Sequence, residues 1–282
     1  MIGVRWTVGD VSGRGFEALR LSILGAMRLL GDRAAYVVCV NSIPLGLAQR
    51  RIGPVPRGVC WRVCTRADVP EFLRPHMDSE MAQGVGWKLA PLRAFPDRYE
   101  IALDNDCILW ELPAVLDRAA TGPTRAPCAL AEDVRPCFGR FAPVCPARPL
   151  NSGIRGLPKD FDFKAALLAA LADAAREHGG PVRLTSELDE QGLQAAALSR
   201  ASEFETVTIE EVTVCSPFHP HLPHLGRCGA HFVGLNARHI PWEYDGRPAD
   251  AWMAEHWRGH RPALERLAAA GREPSPAHAA TP

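Results

Sequence analysis

Residues 99–106 read Tyr99-Glu100-Ile101-Ala102-Leu103-Asp104-Asn105-Asp106. The stretch has strand character as far as Leu103 and then ends abruptly in an acidic tripeptide. In extended backbone, residues two apart point to the same side, so the carboxylates of Asp104 and Asp106 can face one point beyond the strand. Ligands of open α/β sheets bind at such strand ends, and two carboxylates suit Mg²⁺ or Mn²⁺. The stretch therefore predicts a metal site at the end of a buried strand.

The spacing of the two aspartates is weak support by itself. With 15 aspartates in 282 residues, chance alone gives roughly one Asp-x-Asp pattern. A second pair, Asp160 and Asp162, directly precedes a helix predicted from Phe163, where aspartate caps free N–H groups. We interpret that second pair as structural, so the context separates the two pairs.

Strands and helices alternate along the chain on both sides of this stretch. The apolar periodicity predicts strands at 4–8, 35–40, 59–63, 127–130 and 150–157, and helices at 16–30, 110–119, 163–178 and 188–198, with 70–96 mostly helical. This order predicts an α/β fold, a Rossmann-type single domain with a mixed, mainly parallel central sheet flanked by helices. We place the domain at 1–261, with a donor site mainly in 1–110 and a metal-closing acceptor part at about 125–245. Residues 262–282, rich in proline and alanine after Arg272, are predicted to be a disordered tail.

The composition limits the classes of partner. The chain has 32 Lys and Arg against 32 Asp and Glu, so it lacks the basic surface that a nucleic acid partner needs. It has no apolar run of about eighteen residues and no basic region followed by a long apolar stretch at its N-terminus, which predicts neither a membrane span nor a secretory signal. Its cysteines number nine, an odd number that favours reduced thiols and a cytoplasmic location.

Four short motifs follow one another along the chain: Asp104-Asn105-Asp106, Asn151-Ser152-Gly153, Asp189-Glu190-Gln191-Gly192 and His231-Phe232-Val233-Gly234. In this order the sequence resembles nucleotide-sugar glycosyltransferases of the GT-A fold, of the glycogenin-like family. The resemblance runs in organisation from about Val4 to about Trp242, and only the motifs match in residues. It implies a GT-A-like domain that transfers sugar from a nucleotide-diphosphate sugar, a UDP-sugar in first place, to an unknown hydroxyl acceptor. The resemblance alone implies retention of anomeric configuration, and the residues leave retention and inversion both open.

The resemblance also implies a set of metal ligands. It assigns Asp104, Asp106 and His231 to one divalent ion, with both aspartates among the catalytic residues. An imidazole added to two carboxylates moves the preference from Mg²⁺ towards Mn²⁺. From its apolar setting alone, His231 is more readily a core histidine.

Further residues surround the donor in this interpretation. The resemblance places Glu190 and Gln191 beside the sugar as catalytic residues, Asn151 and Gly153 facing the sugar, and Gly234 close to the diphosphate. The family has a lysine in a short spacer before Pro-Trp; the spacer here is longer, and we favour Arg238 as the phosphate ligand. The other donor-binding candidates are Thr7, Val8, Asp10, Lys88, Arg93, Asn105 and Asp189. Acids at a helix start explain Asp189 and Glu190 equally well.

Three alternatives remain open. Cysteines and histidines that could bind zinc crowd one segment, at Cys215, His219, His221, His224, Cys228 and His231, although their spacing fits no familiar finger. A sugar-phosphate nucleotidyltransferase would need a basic phosphate loop after the first strand, and residues 9–15 are glycine-rich without Gly-Lys-Ser/Thr. The third alternative is a non-catalytic nucleotide-sugar-binding protein.

Overall fold

The computed structural model describes residues 2–122, 126–218, 221–237 and 240–269 of the chain. Its strands are β1 (Ile2–Val8), β2 (Ala34–Val40), β3 (Val59–Val63), β4 (Tyr99–Asp104), β5 (Cys107–Leu109), β6 (Cys128–Glu132), β7 (Leu150–Leu157), β8 (Phe204–Val207), β9 (Val212–Cys215), β10 (Gly229–Phe232), β11 (Glu243–Tyr244) and β12 (Arg247–Pro248). Its α-helices are α1 (Gly13–Leu30), α2 (Leu45–Ile52), α3 (Ala114–Thr121), α4 (Phe163–His178), α5 (Glu187–Leu198) and α6 (Ala249–Ala269). The donor-binding candidate Arg238 and the tail residues 270–282 lie outside the described residues.

The central sheet has seven strands in the order β3-β2-β1-β4-β7-β6-β8. Strands β3, β2, β1 and β4 are parallel to one another, β7 is antiparallel to both of its neighbours, and β8 is parallel to β6. The carboxyl ends of β1, β4 and β6 therefore meet the amino end of β7 at one edge of the sheet. The predicted fold class, a mixed and mainly parallel sheet flanked by helices, is confirmed.

Helices cover both faces of this sheet. On one face, Phe16 and Leu19 of α1 pack in a buried cluster with Trp6 of β1. Ala129 of β6 belongs to that cluster, whereas its neighbour Leu130 packs on the other face with α4 and α5. Because successive side chains of a strand point to opposite faces, β6 is buried on both sides.

A smaller sheet of three strands, β5-β10-β9, continues from the tip of β4. Its residues Ile108 and Phe232 form a third buried cluster with Met253 and Trp257 of α6 and with Leu21 of α1. Helix α1 thus contributes to the core of the large sheet and to the core of the small one. This arrangement fixes the position of β10, which carries His231.

Several sequence-based expectations need correction. The segment 70–96, predicted mostly helical, forms only short 3-10 turns, which include Glu71–His76 and Val85–Leu89. Prolines recur through it, and a proline cannot donate the backbone hydrogen bond of a helix interior. The helix predicted at 110–119 starts only at Ala114, because Cys107–Leu109 pairs with β10 as a strand. Helices α2 and α6 were not predicted.

The first residues of the segment predicted as a tail are helical. Helix α6 continues through residue 262 to Ala269, and Leu264 is fully buried in the third cluster. Burial of a leucine side chain contributes about 1.5–3 kcal/mol, which favours keeping this turn helical and docked. Among the described residues, no helix combines the length and the apolar composition needed to cross a lipid bilayer.

Candidate metal and donor site

The two aspartates of the opening stretch lie where β4 ends and the chain turns into β5. Asp104 is the last residue of β4, and Asn105 and Asp106 form the turn, so the backbone is not extended through all three residues as the sequence reasoning assumed. The two carboxylates still converge. Asp104 keeps 18% of its side chain exposed, whereas Asp106 keeps 4%. One carboxylate therefore faces solvent in part, and the other is buried behind it.

His231 completes the group from a distant part of the chain. Strand β10 pairs antiparallel with β5, and His231 lies opposite Cys107, next to the turn. Its Nε2 lies 3.3 Å from Asp106 Oδ1 and 3.5 Å from Asp104 Oδ2. One ligand atom from each of the three residues lies within 4.8 Å of the others. The structure thus brings together the three residues that the sequence assigned to a metal.

The two carboxylates favour a positive charge on the neighbouring imidazole. Burial lowers the pKa of His231, but the hydrogen bond and charge of Asp106, with the charge of Asp104, outweigh it and hold the pKa above its ordinary value. Asp106 Oδ1 is buried and, beside its 3.3 Å contact with His231 Nε2, has no hydrogen-bond partner among the residues that the structure describes. Its other oxygen, Oδ2, accepts a hydrogen bond of 2.9 Å from Asn236 Nδ2. The aspartate is anchored by one oxygen, and the other is left facing His231.

Asn236, which the sequence reasoning missed, reaches Asp106 because the chain turns sharply after β10. Gly234 has φ 85°, in the left-handed region that favours glycine, and Ala237 N donates to Gly234 O. Asn236 also exchanges hydrogen bonds with the predicted donor-binding residue Asn105. Gly234 therefore has a conformational reason to be glycine that does not involve a diphosphate.

Lys88 lies on the exposed side of the cluster, as part of the short turn Val85–Leu89. Its Nζ lies 2.8 Å from Asp104 Oδ2, 3.3 Å from Ser152 Oγ and 3.7 Å from Glu190 Oε2. Burial lowers its pKa, but the charges of Asp104 and Glu190 more than reverse this and raise the pKa well above its ordinary value. Lys88 is therefore a permanent cation that links Asp104 to the residues of α5.

Glu190, in the first turn of α5, is buried behind Lys88. Its Oε2 accepts a hydrogen bond of 3.1 Å from Ser152 Oγ, and Oε1 accepts one from Gln194, whose own Oε1 accepts from Arg155 at 2.7 Å. Burial raises the pKa of Glu190 against the opposing charge of Lys88. This chain of side chains fixes the direction of the Glu190 carboxylate.

Gln191 and Asn151 meet at a second acid, Asp133, which the sequence reasoning missed. Asn151 Nδ2 donates to Asp133 Oδ2 at 2.9 Å, and Gln191 Nε2 lies 3.5 Å from the same oxygen and 3.0 Å from Cys137 O. Asp133 directly follows β6, whose carboxyl end lies at the same edge as that of β4. The sequence contained the signal for Asp133, because this acid directly follows an apolar strand, as Asp104 ends one.

Gly153 of β7 explains how His231 fits against the large sheet. A Cβ built on Gly153 would lie 2.4 Å from His231 Cε1 and 2.5 Å from Nδ1, closer than real Cβ contacts. The imidazole therefore occupies the space that a side chain would fill. The sequence assigned Gly153 to the donor sugar, and in the structure its missing side chain first of all admits His231.

Other donor-binding candidates lie at the same edge of the sheet. Thr7, near the end of β1, is in register with Asp104 and lines a small pocket with Lys88 and Ser152. Val8 is buried, and Asp10, beyond β1, pairs with Arg51 at 2.8 Å. Thr7 therefore lies beside Asp104 in the neighbouring strand, and Val8 and Asp10 follow it at the carboxyl end of β1.

Two candidates do not join the site. Arg93 donates to the carbonyl oxygens of Leu157 at 3.1 Å and Pro158 at 2.8 Å, at the opposite edge of the sheet, because β7 runs antiparallel to β4. Asp189 caps α5, accepting from the backbone N–H groups of Arg140 and Thr185, each at 2.9 Å. The predicted donor roles of Arg93 and Asp189 are therefore not supported by their positions. The second Asp-x-Asp pair behaves as predicted, since Asp162 is the N-cap of α4.

Comparison with known proteins identifies the fold. No family model matches the chain, and no curated protein matches it in sequence. Among solved structures it is similar to the galactosyltransferase LgtC in complex with donor and acceptor sugar analogues, with a TM-score of 0.52 and 12% identity over 97% of this chain and 98% of that one. It is similar to mouse xyloside xylosyltransferase 1, with a TM-score of 0.53 and 12% identity over 86% of this chain and 100% of that one.

A third similar structure is the bifunctional glycosyltransferase WbbM, with a TM-score of 0.52 and 13% identity; the match covers 94% of this chain and 51% of that one. All three proteins are named as glycosyltransferases. The chain has the GT-A fold of nucleotide-sugar glycosyltransferases. At 12–13% identity, the similarity to these structures defines the fold of the chain and not its activity.

Proposed function

We propose that the chain is a metal-dependent glycosyltransferase that moves a sugar from a nucleotide-diphosphate sugar, a UDP-sugar, to a hydroxyl acceptor. One observation carries the proposal. In a GT-A fold, Asp104, Asp106 and His231 come from segments more than 100 residues apart and converge at the carboxyl edge of the sheet. Ligands of open α/β sheets bind at that edge.

The donor set fits a divalent cation. Two carboxylates and one imidazole favour Mn²⁺ over Mg²⁺, because imidazole is the softer ligand. The buried Asp106 Oδ1, which accepts no well-formed hydrogen bond within the described part of the chain, is the atom that a cation would satisfy. When bound, such an ion neutralises the diphosphate of the leaving group. The exposed part of Asp104 would then face the donor.

The chain's own side chains supply the rest of the site. In the reaction, the acceptor oxygen bonds to the anomeric carbon as the bond from that carbon to the diphosphate oxygen breaks, and the hydroxyl proton is lost. Negative charge then grows on the diphosphate and positive charge on the sugar ring. We assign Lys88 to the diphosphate, and Glu190 and Gln191 to the sugar, because fixed charges and dipoles stabilise charge that develops in a transition state. Thr7, Val8 and Asp10 would line the nucleotide end, with Asn105, Asn151, Gly153 and Gly234 nearer the metal; we keep Arg238 as a candidate phosphate ligand.

We further propose a cytoplasmic location. None of the nine cysteines, all of which the structure describes, forms a disulfide, and six of them are buried within apolar clusters. Reduced thiols of this kind are typical of proteins in a reducing compartment.

The substitution Asp106→Asn tests the metal site. It removes the charge that faces His231 and keeps the size of the side chain, so we expect Mn²⁺-dependent UDP binding to be lost while the fold is kept. Calorimetry with UDP in the presence and absence of Mn²⁺ measures this. Asp162→Asn is the matched control, since it makes the same exchange in the other Asp-x-Asp pair and swaps one capping residue for another. Unchanged UDP and Mn²⁺ affinity in Asp106→Asn would contradict the proposal.

The alternatives are separated by their products. A screen of nucleotide sugars for thermal stabilisation with and without Mn²⁺ identifies the donor, because a ligand that binds only the native state raises its stability. Release of UDP from that donor then indicates transfer or hydrolysis. Release of pyrophosphate from a nucleoside triphosphate and a sugar phosphate would indicate a nucleotidyltransferase instead, and binding without release would indicate a binding protein.

A further inference from the structure

A second group of metal-ligating side chains lies away from the aspartates, between β9 and α6. Cys215 is the last residue of β9 and is fully buried. His256 and His260 lie one turn apart on α6, so they share one face of the helix. One ligand atom from each of these three residues lies within 4.8 Å of the others.

The distances within this cluster are close to those of a tetrahedral metal site. Cys215 Sγ lies 3.3 Å from His256 Nε2, and the two imidazole rings have their centroids 4.6 Å apart. In a tetrahedral zinc site, with Zn–S about 2.3 Å and Zn–N about 2.0–2.1 Å, sulfur and nitrogen lie roughly 3.5 Å apart. The distance between Cys215 Sγ and His256 Nε2 is therefore close to that of a zinc site, and one ring nitrogen of His260 lies within 4.8 Å of both other ligand atoms.

The histidines are held in place from outside the cluster. His260 Nε2 lies 3.0 Å from the carbonyl oxygen of Pro223, which can only accept a hydrogen bond. This contact fixes the proton on Nε2 and leaves the lone pair on Nδ1. A backbone carbonyl that orients the second ring nitrogen in this way is a usual feature of metal-binding histidines. Phe232 packs against both rings, at centroid distances of 6.1 Å and 5.9 Å.

We infer that Cys215, His256 and His260 form a binding site for a soft divalent cation of the zinc class, which fastens α6 to the small sheet. The thiolate of Cys215 is the decisive ligand, because thiolate and imidazole together favour Zn²⁺ over Mn²⁺ and Mg²⁺. Binding converts the thiol to a thiolate and releases its proton to solvent. Three protein ligands leave one coordination position for water.

This site differs from the zinc site considered in the sequence analysis. Of the residues considered there, His231 lies with the aspartates and Cys228 packs in the core of the large sheet, so the crowded segment does not act as one unit. His219 lies outside the described residues. The partners of Cys215 come instead from α6, about 40 residues further along the chain. The inference is independent of the proposed transferase activity.

Cobalt substitution tests the site in the full-length protein. After removal of bound metal with a chelator, we expect Co²⁺ to bind and to produce the charge-transfer absorption of a cobalt thiolate, which the aspartate site cannot produce. Cys215→Ser should abolish this absorption, and His260→Gln should weaken Co²⁺ binding at this site by about tenfold or more. Cys60→Ser, at an exposed cysteine, is the matched control and should leave the absorption unchanged. Asp106→Asn should also leave it unchanged.

Zinc itself gives a second measurement. Zn²⁺ should raise the melting temperature of the wild-type protein and of Asp106→Asn by mass action, and should raise that of His260→Gln much less. Absence of the cobalt thiolate absorption from the folded wild-type protein, or its persistence in Cys215→Ser, would overturn the inference. If Cys215→Ser fails to fold, the titration of the wild-type protein with Co²⁺ still tests the inference.

Discussion

Gly153 positions the imidazole of His231 by having no side chain of its own. Because the ring fills the space of the missing Cβ, its Nε2 is held within 3.5 Å of both aspartates. Asn236 acts on the same group from the other side, by holding one oxygen of Asp106 and leaving the other facing His231. Gly153 and Asn236 therefore orient the side chains of His231 and Asp106 without being metal ligands themselves.

The substitution Gly153→Ala tests this arrangement. The new methyl group would overlap the ring, so we expect Mn²⁺ affinity to fall by about tenfold or more, with a cost in stability of about 1–3 kcal/mol from overpacking. Calorimetric titration with Mn²⁺ and urea unfolding measure the two effects. Gly180→Ala is the matched control, since a Cβ there meets nothing within 4 Å. Equal Mn²⁺ affinity in the two variants would show that His231 does not depend on this space.

At the scale of the element, the start of α5 separates two neighbouring acids into different roles. Asp189 turns back to accept the N–H groups of Thr185 and Ser186 as part of a capping box, whereas Glu190 turns towards Lys88 and Ser152. The sequence shows only that both acids stand at a helix start. Their directions follow from the helical rotation of about 100° per residue, combined with the side of the helix that faces β7.

Asp189→Asn should lower the free energy of unfolding by about 1–3 kcal/mol at neutral pH, because backbone N–H groups lose their carboxylate. Burial raises the pKa of Asp189, but the N–H donors of Arg140 and Thr185 outweigh it and hold the pKa below its ordinary value. The stabilisation is therefore present above about pH 4 and is lost as the pH falls through the lowered pKa. Urea unfolding between pH 7 and pH 3 should show the difference between wild type and variant shrink at the acid end.

Glu187→Gln, on an exposed acid in the same turn, is the control for Asp189→Asn and should change stability by less than about 0.5 kcal/mol. A difference between wild type and Asp189→Asn that stays constant down to pH 3 would contradict the role given to the charge.

At the scale of the whole molecule, the core of the large sheet and the core of the small sheet share helix α1. Phe16 and Leu19 of α1 belong to the core of the large sheet, and Ala18 and Leu21 belong to the core that α6 closes. Trp257 of α6 also donates to Glu17 of α1 at 2.7 Å. We therefore expect the region that carries His231 to unfold together with the rest.

Leu264→Ala tests this coupling. Removal of a fully buried leucine side chain should cost about 2–5 kcal/mol and should shift a single unfolding transition, seen equally by tryptophan fluorescence and by far-ultraviolet circular dichroism. Leu168→Ala, at a leucine that is 41% exposed, is the matched control and should cost much less. An early transition confined to tryptophan fluorescence would show instead that α6 unfolds by itself.

The amino-acid sequence by itself determined those strands and helices that are indicated by residues close together in the chain. The apolar runs of β1, β2, β3 and β7, the periodicity of α1 and α4, and the acidic end of β4 could all be predicted, because strand alternation, helix caps and turns depend on neighbouring residues. From these the α/β fold class followed. Asp104 and Asp106 could be predicted because they lie at the end of an apolar strand, and Asp133 could have been found in the same way.

The tertiary structure alone decided which distant side chains meet. The pairing of β10 with β5 placed His231 beside the aspartates, and the docking of α6 brought His256 and His260 to Cys215. The antiparallel direction of β7 brought the carbonyl oxygens that bind Arg93 to the amino end of β4. Strand order and helix docking are set by the burial of apolar surface summed over the whole core, a quantity that no single segment contains. The residues of both proposed metal sites are therefore brought together by packing, although each residue can be read from the sequence.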